Sequence, residues 1–357
     1  AAPVSSGSAY AGRVEVVKSP GGVEAWLIER HETPLIDIRI AFRGGSLRDP
    51  AGRLGLANFA AFVFNEGGGT LNLRDFTARR AAIGVELGAT ANADAVVVEF
   101  RAITRYAREG FELLNLALNE PVLDRGEIER ARRELIGQLQ VKLSDPNQYV
   151  GVALLKALFP NHQLGATPEA QLSGLQAITA DDIADFRRRT MTRDNIVIAV
   201  AGDIDAATLA PLLDQLTARL PATSSLLAVA PVGKAAAARS VIDAALPQSI
   251  VVFGRQEAPL TARERDAMTL IDNIINAPFT GPLFLEVREK RGLVYDVGAG
   301  IIENELVSIY SGSFGSANEK AGEALAVTLS VLDEIGREGP SEQQLGEAKD
   351  ALPGITL

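Results

Sequence analysis

The feature that most constrains this sequence is an order of predicted elements that occurs twice along the chain. In the first half, the spacing of apolar residues predicts a strand, two helices, two strands and two further helices. These elements lie at residues 35–42, 54–65, 73–83, 85–90, 95–103, 105–119 and 127–143. The second half has the same order at residues 249–253, 260–276, 281–291, 294–301, 306–313, 318–335 and from residue 341 onward. A chain with this pattern is expected to form two similar units.

Equivalent positions in the two halves are about 213 residues apart, for example residues 105 and 318 at the start of equivalent helices. Residue identity between the halves is poor, so the repeat is one of pattern and not of sequence. We predict an N-terminal domain at residues 1–220, a linker rich in Ala, Ser and Pro at 221–239, and a C-terminal domain at 240–357. The same offset would extend the second domain about 60 residues beyond residue 357, so we expect that domain to be incomplete in this sequence.

The order of strands and helices also indicates the fold class. Strands and helices interleave without the strict alternation of βαβ units, which favours the α+β class. The predicted strand at 35–42 alternates apolar and polar residues, a pattern typical of a sheet with one buried face. We therefore predict two domains that each hold a mixed or antiparallel sheet with helices packed on one face.

Composition limits the kind of protein this is. Hydrophobic residues make up 47% of the chain and charged residues 22%, which is typical of a globular protein. The formal net charge of −10 argues against a nucleic-acid partner, because a negative surface repels phosphate backbones. No apolar run approaches the roughly 18–20 residues that cross a bilayer, so we predict no membrane span. The absence of cysteine favours a periplasmic or otherwise extracytoplasmic location, with a cytoplasmic location as the alternative.

The chain is also poor in residues that hold catalytic metals. It has no cysteine, and its two histidines, His31 and His162, are far apart in the sequence. Because no two histidines lie one helical turn apart, a self-contained zinc site built on a His pair is not expected. His31 lies in a predicted turn and His162 in a predicted loop, and we interpret both as structural.

Three stretches carry a resemblance to a known family. The first reads Gly-Leu-Ala-Asn-Phe-Ala-Ala-Phe at residues 55–62 and is followed by Glu-Gly-Gly-Gly-Thr at 66–70. The second is residues 130–146, and the third reads Arg-Glu-Lys-Arg-Gly-Leu-Val-Tyr at 288–295. They resemble the two zinc helices and the C-terminal substrate-binding motif of pitrilysin- and insulinase-type metallopeptidases. The match is best to the small two-subunit members related to mitochondrial processing peptidase, and it implies the clamshell lobe of that family.

The resemblance implies that this chain lacks the zinc site. The zinc helix of the family reads His-x-x-Glu-His, in which the two histidines bind the metal and the Glu activates the bound water. The matching positions here are Asn58, Ala61 and Phe62, and the third ligand of the family, a Glu, falls at Gln138. Ala and Phe cannot bind a metal, and the amides of Asn and Gln are poor neutral ligands. We expect no metal and no cofactor in this chain, and zinc in a partner subunit.

The third stretch keeps Arg288 and Tyr295, the residues to which the resemblance assigns substrate binding and stabilisation of the oxyanion. They lie on either side of a helix end, a Gly292 cap and a strand start, a reversal that can bring both side chains together. Their donors suit a peptide carbonyl whose oxygen becomes negative during attack. Spacing alone favours a structural interpretation, since cations stabilise the C-termini of helices and a tyrosine is common in strands. The match of Gly292 and Leu293 to the family motif favours the functional interpretation.

Other stretches are weaker candidates. Residues 88–94 resemble the edge strand that this family pairs with an extended substrate, although a solvated hairpin explains them equally well. Residues 312–316 contain glycines but lack the pattern of a phosphate-binding loop, so we predict the end of a strand there. We interpret the charged residues of 127–134 as a solvated helix face.

Three functional hypotheses follow. The first is the non-zinc subunit of a heteromeric zinc metalloendopeptidase, inactive alone, which binds unfolded peptides together with a homologous zinc-bearing subunit in a heterodimer or larger assembly. The second is an inert scaffold or peptide-binding subunit, similar to the respiratory-complex core proteins that resemble this family. The third is a self-sufficient enzyme with unrelated catalytic residues, for which the sequence offers no nucleophile signature. The presence of Arg288 and Tyr295 favours the first over the second.

Overall fold

The structure, a computed structural model, describes residues 13–352, which form two compact units. Within that range the first unit comprises residues 13–140 and 168–229, and the second comprises residues 141–167 and 230–352. The strands are β1 (Glu15–Lys18), β2 (Glu24–Glu29), β3 (Leu35–Arg43), β4 (Glu86–Ala91), β5 (Ala95–Ile103), β6 (Ile196–Gly202), β7 (Gln248–Glu257), β8 (Val294–Glu303) and β9 (Ser308–Ala317). The helices are α1 (Leu56–Val63), α2 (Leu73–Ile83), α3 (Ala107–Asn119), α4 (Arg125–Leu143), α5 (Pro146–Leu158), α6 (Pro168–Ala177), α7 (Ala180–Thr190), α8 (Ala206–Thr217), α9 (Ala262–Ile275), α10 (Ala321–Glu338) and α11 (Glu342–Ala351). Short 3₁₀ turns lie at Ser46–Arg48, Thr104–Tyr106, Gln163–Gly165 and Arg193–Asn195, and a π-helical segment lies at Phe284–Glu289.

The first unit is built on a six-stranded sheet in the order β1-β2-β6-β3-β5-β4. The central strand β3 pairs antiparallel with β5 and with β6, whereas β2 and β6 are parallel. Alternate residues of β3 are buried, and Ile36, Ile38, Ile40 and Phe42 are each at most 1% exposed. Because side chains alternate across a strand, this pattern places one face of the sheet against the helices. The mixed sheet with one buried face confirms the α+β class.

The second unit holds a three-stranded antiparallel sheet in the order β7-β9-β8. On one face, Phe253 of β7 packs against a core that includes Ile275 of α9 and Val287 of the π-helical segment. On the other face of β7, the Nε2 of Gln256 donates to the carbonyl oxygen of Leu158 in α5 (2.9 Å). The second unit therefore has a helix on the far side of β7, which the sequence analysis did not predict.

Residues 141–167 belong to the second unit although residues of the first unit follow them in the chain. Leu158 and Phe159 pack against Val307 and Ile309 in a small apolar cluster. The domain boundaries predicted from the sequence, with a linker at residues 221–239, stay a prediction. In the structure, the end of α5 packs against residues from the second half of the chain.

The elements predicted from the repeat are present, with ends that differ by a few residues. A capping box begins α11: Ser341 accepts from the N–H of Gln344, and the Ser341 N–H donates to the Gln344 side chain (2.9 Å). The helix predicted at 281–291 is largely π-helical. The sequence also indicates helices near residues 147–158 and 179–190 and a strand near 195–200, which are present as α5, α7 and β6. β1, β2, α6 and α8 were not predicted, and α8 contains Pro211, a residue that usually ends a helical pattern.

Candidate functional site

Helix α1 carries three of the four positions that match the zinc ligands and the general base, and a buried carboxylate holds its first turn. Asp49 is 7% exposed, and its two carboxylate oxygens accept from the N–H groups of Gly55 (2.7 Å) and Ala57 (2.9 Å). These bonds satisfy N–H groups that the first turn of a helix leaves unpaired. Burial raises the pKa of Asp49 to about 6, while the backbone hydrogen bonds act in the opposite direction.

We call Asn58, Ala61, Phe62 and Gln138 the zinc-motif positions. Ala61 is 2% exposed, and Phe62 packs partly buried against the core of the first unit. Asn58 is exposed, although most of its neighbours in α1 are buried. Gln138 is also exposed, and its amide nitrogen lies 3.5 Å from a carboxylate oxygen of Glu134.

These residues do not fit a zinc ion. A methyl group and a phenyl ring offer no lone pair, and two exposed amides do not make up the three protein ligands of a catalytic zinc site. In the described part of the chain, no group of three or more His, Asp and Glu side chains is placed to hold a metal ion. At Ala61 and Phe62, apolar core side chains occupy the space that metal ligands would need.

Two contacts join α1 and the residues after it to α4. The carboxylate of Glu66, which is 4% exposed, forms an ion pair with Arg130. Arg130 also bonds to Glu127 (2.8 Å), and the guanidinium of Arg132 lies 5.4 Å from the centre of the Phe59 ring. An ion pair with one buried partner is costly to break, because the remaining charge is left without compensation. The zinc-motif region is therefore held together as a structural core.

Arg288 lies in the π-helical segment, whose position is fixed by apolar anchors. Leu283, Val287 and Leu293 are each at most 4% exposed and belong to the core of the second unit. Gly292 follows the segment; it has φ +57°, and its N–H donates to the carbonyl oxygen of Arg288 (2.8 Å). Glycine adopts this left-handed conformation without the penalty that a Cβ would bring. π-helical turns are rare and occur frequently at functional sites.

Tyr295 follows this reversal at the start of β8. The pairing of β8 with β9 shifts register between Val294 and Val297, so that Tyr295 and Asp296 lie in a bulge. A bulge changes the direction of the side chains at that point of a strand. The Tyr295 side chain points into solvent and is 82% exposed.

The structure brings the two residues of the third stretch together. The Cζ atom of Arg288 lies 5.0 Å from the centre of the Tyr295 ring and 4.8 Å from the centre of the Phe284 ring. Both distances are within the range of cation–π contacts. Among residues 13–352, no hydrogen bond or ion pair involves the Arg288 guanidinium, so its N–H donors are free for a ligand. The roles of Arg288 and Tyr295 stay a prediction.

Phe284 is a neighbour of this pair that was not predicted from the sequence. Phe284 precedes Arg288 by four residues, a spacing that places two side chains on one face of a helix, so the signal was present in the sequence. The Phe284 ring also contacts the ring of Phe279 in an edge-to-face geometry, with centres 5.3 Å apart. No sequence pattern pointed to this second contact.

The remaining candidates have local explanations. Residues 88–94 form the end of β4 and its turn into β5, and β4 is the outermost strand on its side of the sheet. Pairing of this edge with a substrate stays a prediction. Residues 312–316 lie within β9, as predicted. No helix among the described residues is long and apolar enough to cross a membrane.

Both histidines make local contacts. The two ring nitrogens of His31 lie 2.6 Å from a carboxylate oxygen of Asp203 and 2.7 Å from one of Glu29, and these hydrogen bonds raise the pKa of His31. The Nδ1 atom of His162 accepts from the N–H of Leu164 (3.2 Å) at the start of a 3₁₀ turn. These contacts agree with the structural interpretation of both residues.

Comparison with known proteins identifies the same family for both halves. Residues 25–170 match the profile of the insulinase family of peptidases, M16, and residues 177–352 match that of the M16 inactive domain. A non-peptidase homologue, YmxG, from Helicobacter pylori is 23% identical over 91% of this chain and 76% of its own length. An uncharacterised zinc protease of Streptomyces coelicolor is 24% identical over 67% of this chain and 54% of its own length.

Two further matches are informative. The beta subunit of the mitochondrial processing peptidase of Blastocladiella emersonii is 21% identical over 60% of this chain and 48% of its own length. Among solved structures, an M16 inactive domain from Pseudomonas fluorescens superimposes with a TM-score of 0.88 at 22% identity. That match covers 97% of this chain and 84% of the other, and it shows a shared fold.

Proposed function

The chain belongs to peptidase family M16, and from this premise we propose that it is the non-zinc subunit of a heteromeric zinc metalloendopeptidase. In this proposal a homologous partner subunit carries the zinc and the water that attacks the peptide bond. The present chain binds the extended peptide and holds the carbonyl oxygen that becomes negative during the attack. It does not hydrolyse peptides by itself.

One observation carries the proposal. Arg288 and Tyr295 are stacked at 5.0 Å in an exposed position, and the Arg288 guanidinium has no hydrogen bond or ion pair among the described residues. A cation that served only to stabilise its own segment is expected to find a carboxylate, as neighbouring Lys290 and Arg291 both do at Glu286. Arg288 is instead positioned by two aromatic faces, which fix its direction and leave its donors unused.

The chemistry of the pair suits a peptide carbonyl. The guanidinium is permanently charged and offers N–H donors in a fixed plane, and the phenol offers an O–H donor. Donors that are already in place when negative charge develops lower the barrier, and the removal of one such donor typically costs roughly 10²–10³-fold in rate. The sharp reversal at Gly292 and the bulge at Tyr295 support this role, because they hold both side chains on one side of the segment.

The relatives support the division of labour. The zinc-motif positions of this chain hold no ligand set, and one of its relatives is named a non-peptidase homologue. Another is named as one subunit of a processing peptidase, which is by its name a protein of more than one subunit. We further propose a periplasmic or otherwise extracytoplasmic location, which the absence of cysteine favours and which cell fractionation tests directly.

The test is a peptidase assay on the chain copurified with its zinc-bearing partner. Wild-type complex is expected to cleave an unfolded peptide in a chelator-sensitive manner, and the isolated chain is expected to be inactive. Arg288→Ala combined with Tyr295→Phe is expected to lower kcat/KM by roughly 10²-fold or more while the complex still forms. Arg255→Ala is the matched control, because Arg255 also lies over a tyrosine ring, that of Tyr310, but outside the candidate site.

Two results would contradict the proposal in different ways. Equal activity of the wild-type and doubly substituted complexes would leave the chain a scaffold. Chelator-sensitive cleavage by the isolated chain would show that it holds a catalytic metal of its own, although its zinc-motif positions offer no ligand set.

A further inference from the structure

The outermost strand of the second sheet, β8, has helix α9 along its outer edge. Among residues 13–352, β8 pairs with β9 alone, so its other edge lacks a neighbouring strand. Alternate residues of an antiparallel strand direct their backbone N–H and C=O groups to the same edge. Such a row of groups is a template for pairing with another chain. In β8, side chains of α9 and of the residue after it reach these groups.

Asn276, the residue directly after α9, binds β8 as a neighbouring strand would. Its side-chain nitrogen donates to the carbonyl oxygen of Ala299 (2.8 Å), and its side-chain oxygen accepts from the N–H of Ala299 (3.1 Å). A residue of an adjacent antiparallel strand makes the same two hydrogen bonds with its own backbone groups. The Asn276 carboxamide therefore takes the place of a strand residue at this point of the edge.

Two side chains of α9 continue this contact toward the end of β8. A carboxylate oxygen of Asp272 accepts from the N–H of Ile301 (3.0 Å). The guanidinium of Arg265 donates to both carboxylate oxygens of Glu303 (2.7 and 3.1 Å). Residues 299, 301 and 303 are alternate residues of the strand, so α9 follows the edge of β8 over the second half of its length.

Two glycines of β8 make room for these side chains. A Cβ atom at Gly300 would lie 3.0 Å from a carboxylate oxygen of Asp272, and one at Gly298 would lie 3.2 Å from the side-chain oxygen of Asn276. Both distances are shorter than ordinary van der Waals contact, so an alanine at either position would push the polar side chain away from the edge. Glycine inside a strand often marks such a close approach.

The packing of α9 does not explain the carboxylate of Asp272. Its second oxygen is buried and has no hydrogen-bond partner among the described residues, and burial raises the pKa of the group. A buried acceptor without a partner is destabilising. Leu270, Ile274 and Ile275 are buried and already anchor the helix. The contact with the edge of β8 is the one gain that the structure shows for an acidic residue here.

The equivalent edge of the first unit is not closed in this way. In the repeat, β4 and α1 correspond to β8 and α9, and α1 lies beside β4. Among residues 13–352, no side chain forms a hydrogen bond with the backbone of β4. The contact of α9 with β8 is therefore a feature of the second unit and not a consequence of the repeated architecture.

We propose that Asn276 and Asp272 close the edge of β8, and that without them this edge pairs with the β8 edge of a second copy of the chain. Two identical antiparallel edges related by a two-fold axis are self-complementary, so two uncapped β8 strands join their sheets into one. This role of the edge is independent of the proposed function, because it involves neither Arg288 nor Tyr295.

The test is sedimentation velocity on wild type and on Asn276→Ala combined with Asp272→Ala, over a range of protein concentrations. The double variant is expected to self-associate roughly tenfold more tightly than wild type, since several backbone groups become free to pair. Addition of Ala299→Pro is expected to abolish this gain, because proline removes the N–H that points to the outer edge. Asn119→Ala is the matched control: the Asn119 amide also donates to a backbone carbonyl oxygen, that of Leu216 (3.0 Å), but not at a strand edge.

Gly300→Ala tests the same edge without the loss of a polar group. Its Cβ displaces the Asp272 carboxylate, so we expect stronger self-association than in wild type. Gly336→Ala is its control, because a Cβ there meets nothing within 4 Å. Thermal unfolding shows which variants are folded.

Three results would overturn the proposal. The first is a folded double variant that associates no more tightly than wild type, and the second is a gain in association that persists with Ala299→Pro. If the double variant does not fold, Gly300→Ala decides, and association no stronger than that of wild type is the third.

Discussion

Ala61, at a zinc-motif position, is 2% exposed, whereas Tyr295, in the third stretch, is 82% exposed. The zinc-motif region is filled by apolar side chains and tied together by buried charges such as Asp49 and Glu66. The region around Arg288 has the opposite character, with exposed rings and unused donors. The first region therefore contributes to the stability of the fold, whereas the exposed rings and unpaired donors of the second contribute little to it.

The largest expected effect on stability comes from the introduction of a charge at the buried position of Ala61. Ala61→Glu restores the acidic residue of the family motif, but it buries a carboxylate at a site with 2% exposure. We expect the free energy of unfolding to fall by about 3–5 kcal/mol, because the charge has no partner there. Urea denaturation followed by circular dichroism measures this change.

Asn58→His is the matched control for that experiment. It restores another residue of the family motif, but at an exposed position of the same helix. We expect a change within about 0.5 kcal/mol. A loss of similar size for both substitutions, or no loss for Ala61→Glu, would show that the two positions do not differ as the structure indicates.

The second prediction concerns the pH dependence of stability in the zinc-motif region. The pKa of Asp49 is about 6 in the folded protein, against 3.8 for an unperturbed Asp. Because the folded state holds this proton more tightly, the stability linked to Asp49 is full below pH 3.8 and is lost as the pH rises to about 6. The loss amounts to about 3 kcal/mol.

Comparison of wild type with Asp49→Asn separates the contribution of Asp49 to the pH dependence of stability from those of other carboxylates. The stability of wild type relative to the variant is expected to be about 2–2.5 kcal/mol more favourable at pH 4 than at pH 7. Denaturant titrations at the two pH values measure it. A relative stability that is constant with pH, or that rises toward pH 7, would contradict a buried and unfavourable carboxylate at this position.

The smallest expected effect lies in the exposed region. Tyr295→Ala removes a ring that is 82% exposed and whose one described aromatic contact is with Arg288. We expect the free energy of unfolding to change by at most about 0.5–1 kcal/mol, the usual value of an exposed cation–π contact. A loss of several kcal/mol in thermal or chemical unfolding would mean that Tyr295 is part of the structural core.

The sequence predicted the parts of this structure that depend on local pattern. The alternation in β3 and the extent of α2 follow from the spacing of apolar residues, and both were predicted correctly. The proximity of Arg288 and Tyr295 was predicted as well, because the helix end and the strand start at Gly292 are visible in the sequence.

Other features depend on contacts that no local pattern carries. The packing of α5 on β7 joins residues about 100 positions apart, as in the hydrogen bond from Gln256 to Leu158. The positive φ of Phe279 (+65°) is unusual for a phenylalanine, and no local sequence pattern indicates it. The exposure of Asn58 depends on which face of α1 meets the core, and the pattern of the helix alone did not decide this.

The central claim is that this chain binds peptides through Arg288 without a metal of its own. The most direct test is the affinity of the isolated chain for a labelled unstructured peptide, measured with added zinc and with a chelator. Arg288→Gln and Lys290→Gln are compared, since both remove one positive charge from the same segment.

We expect equal affinity in zinc and in chelator, a loss of roughly tenfold for Arg288→Gln, and little change for Lys290→Gln, whose ammonium is paired with Glu286. Binding that requires zinc, or an equal loss in both variants, would contradict the claim.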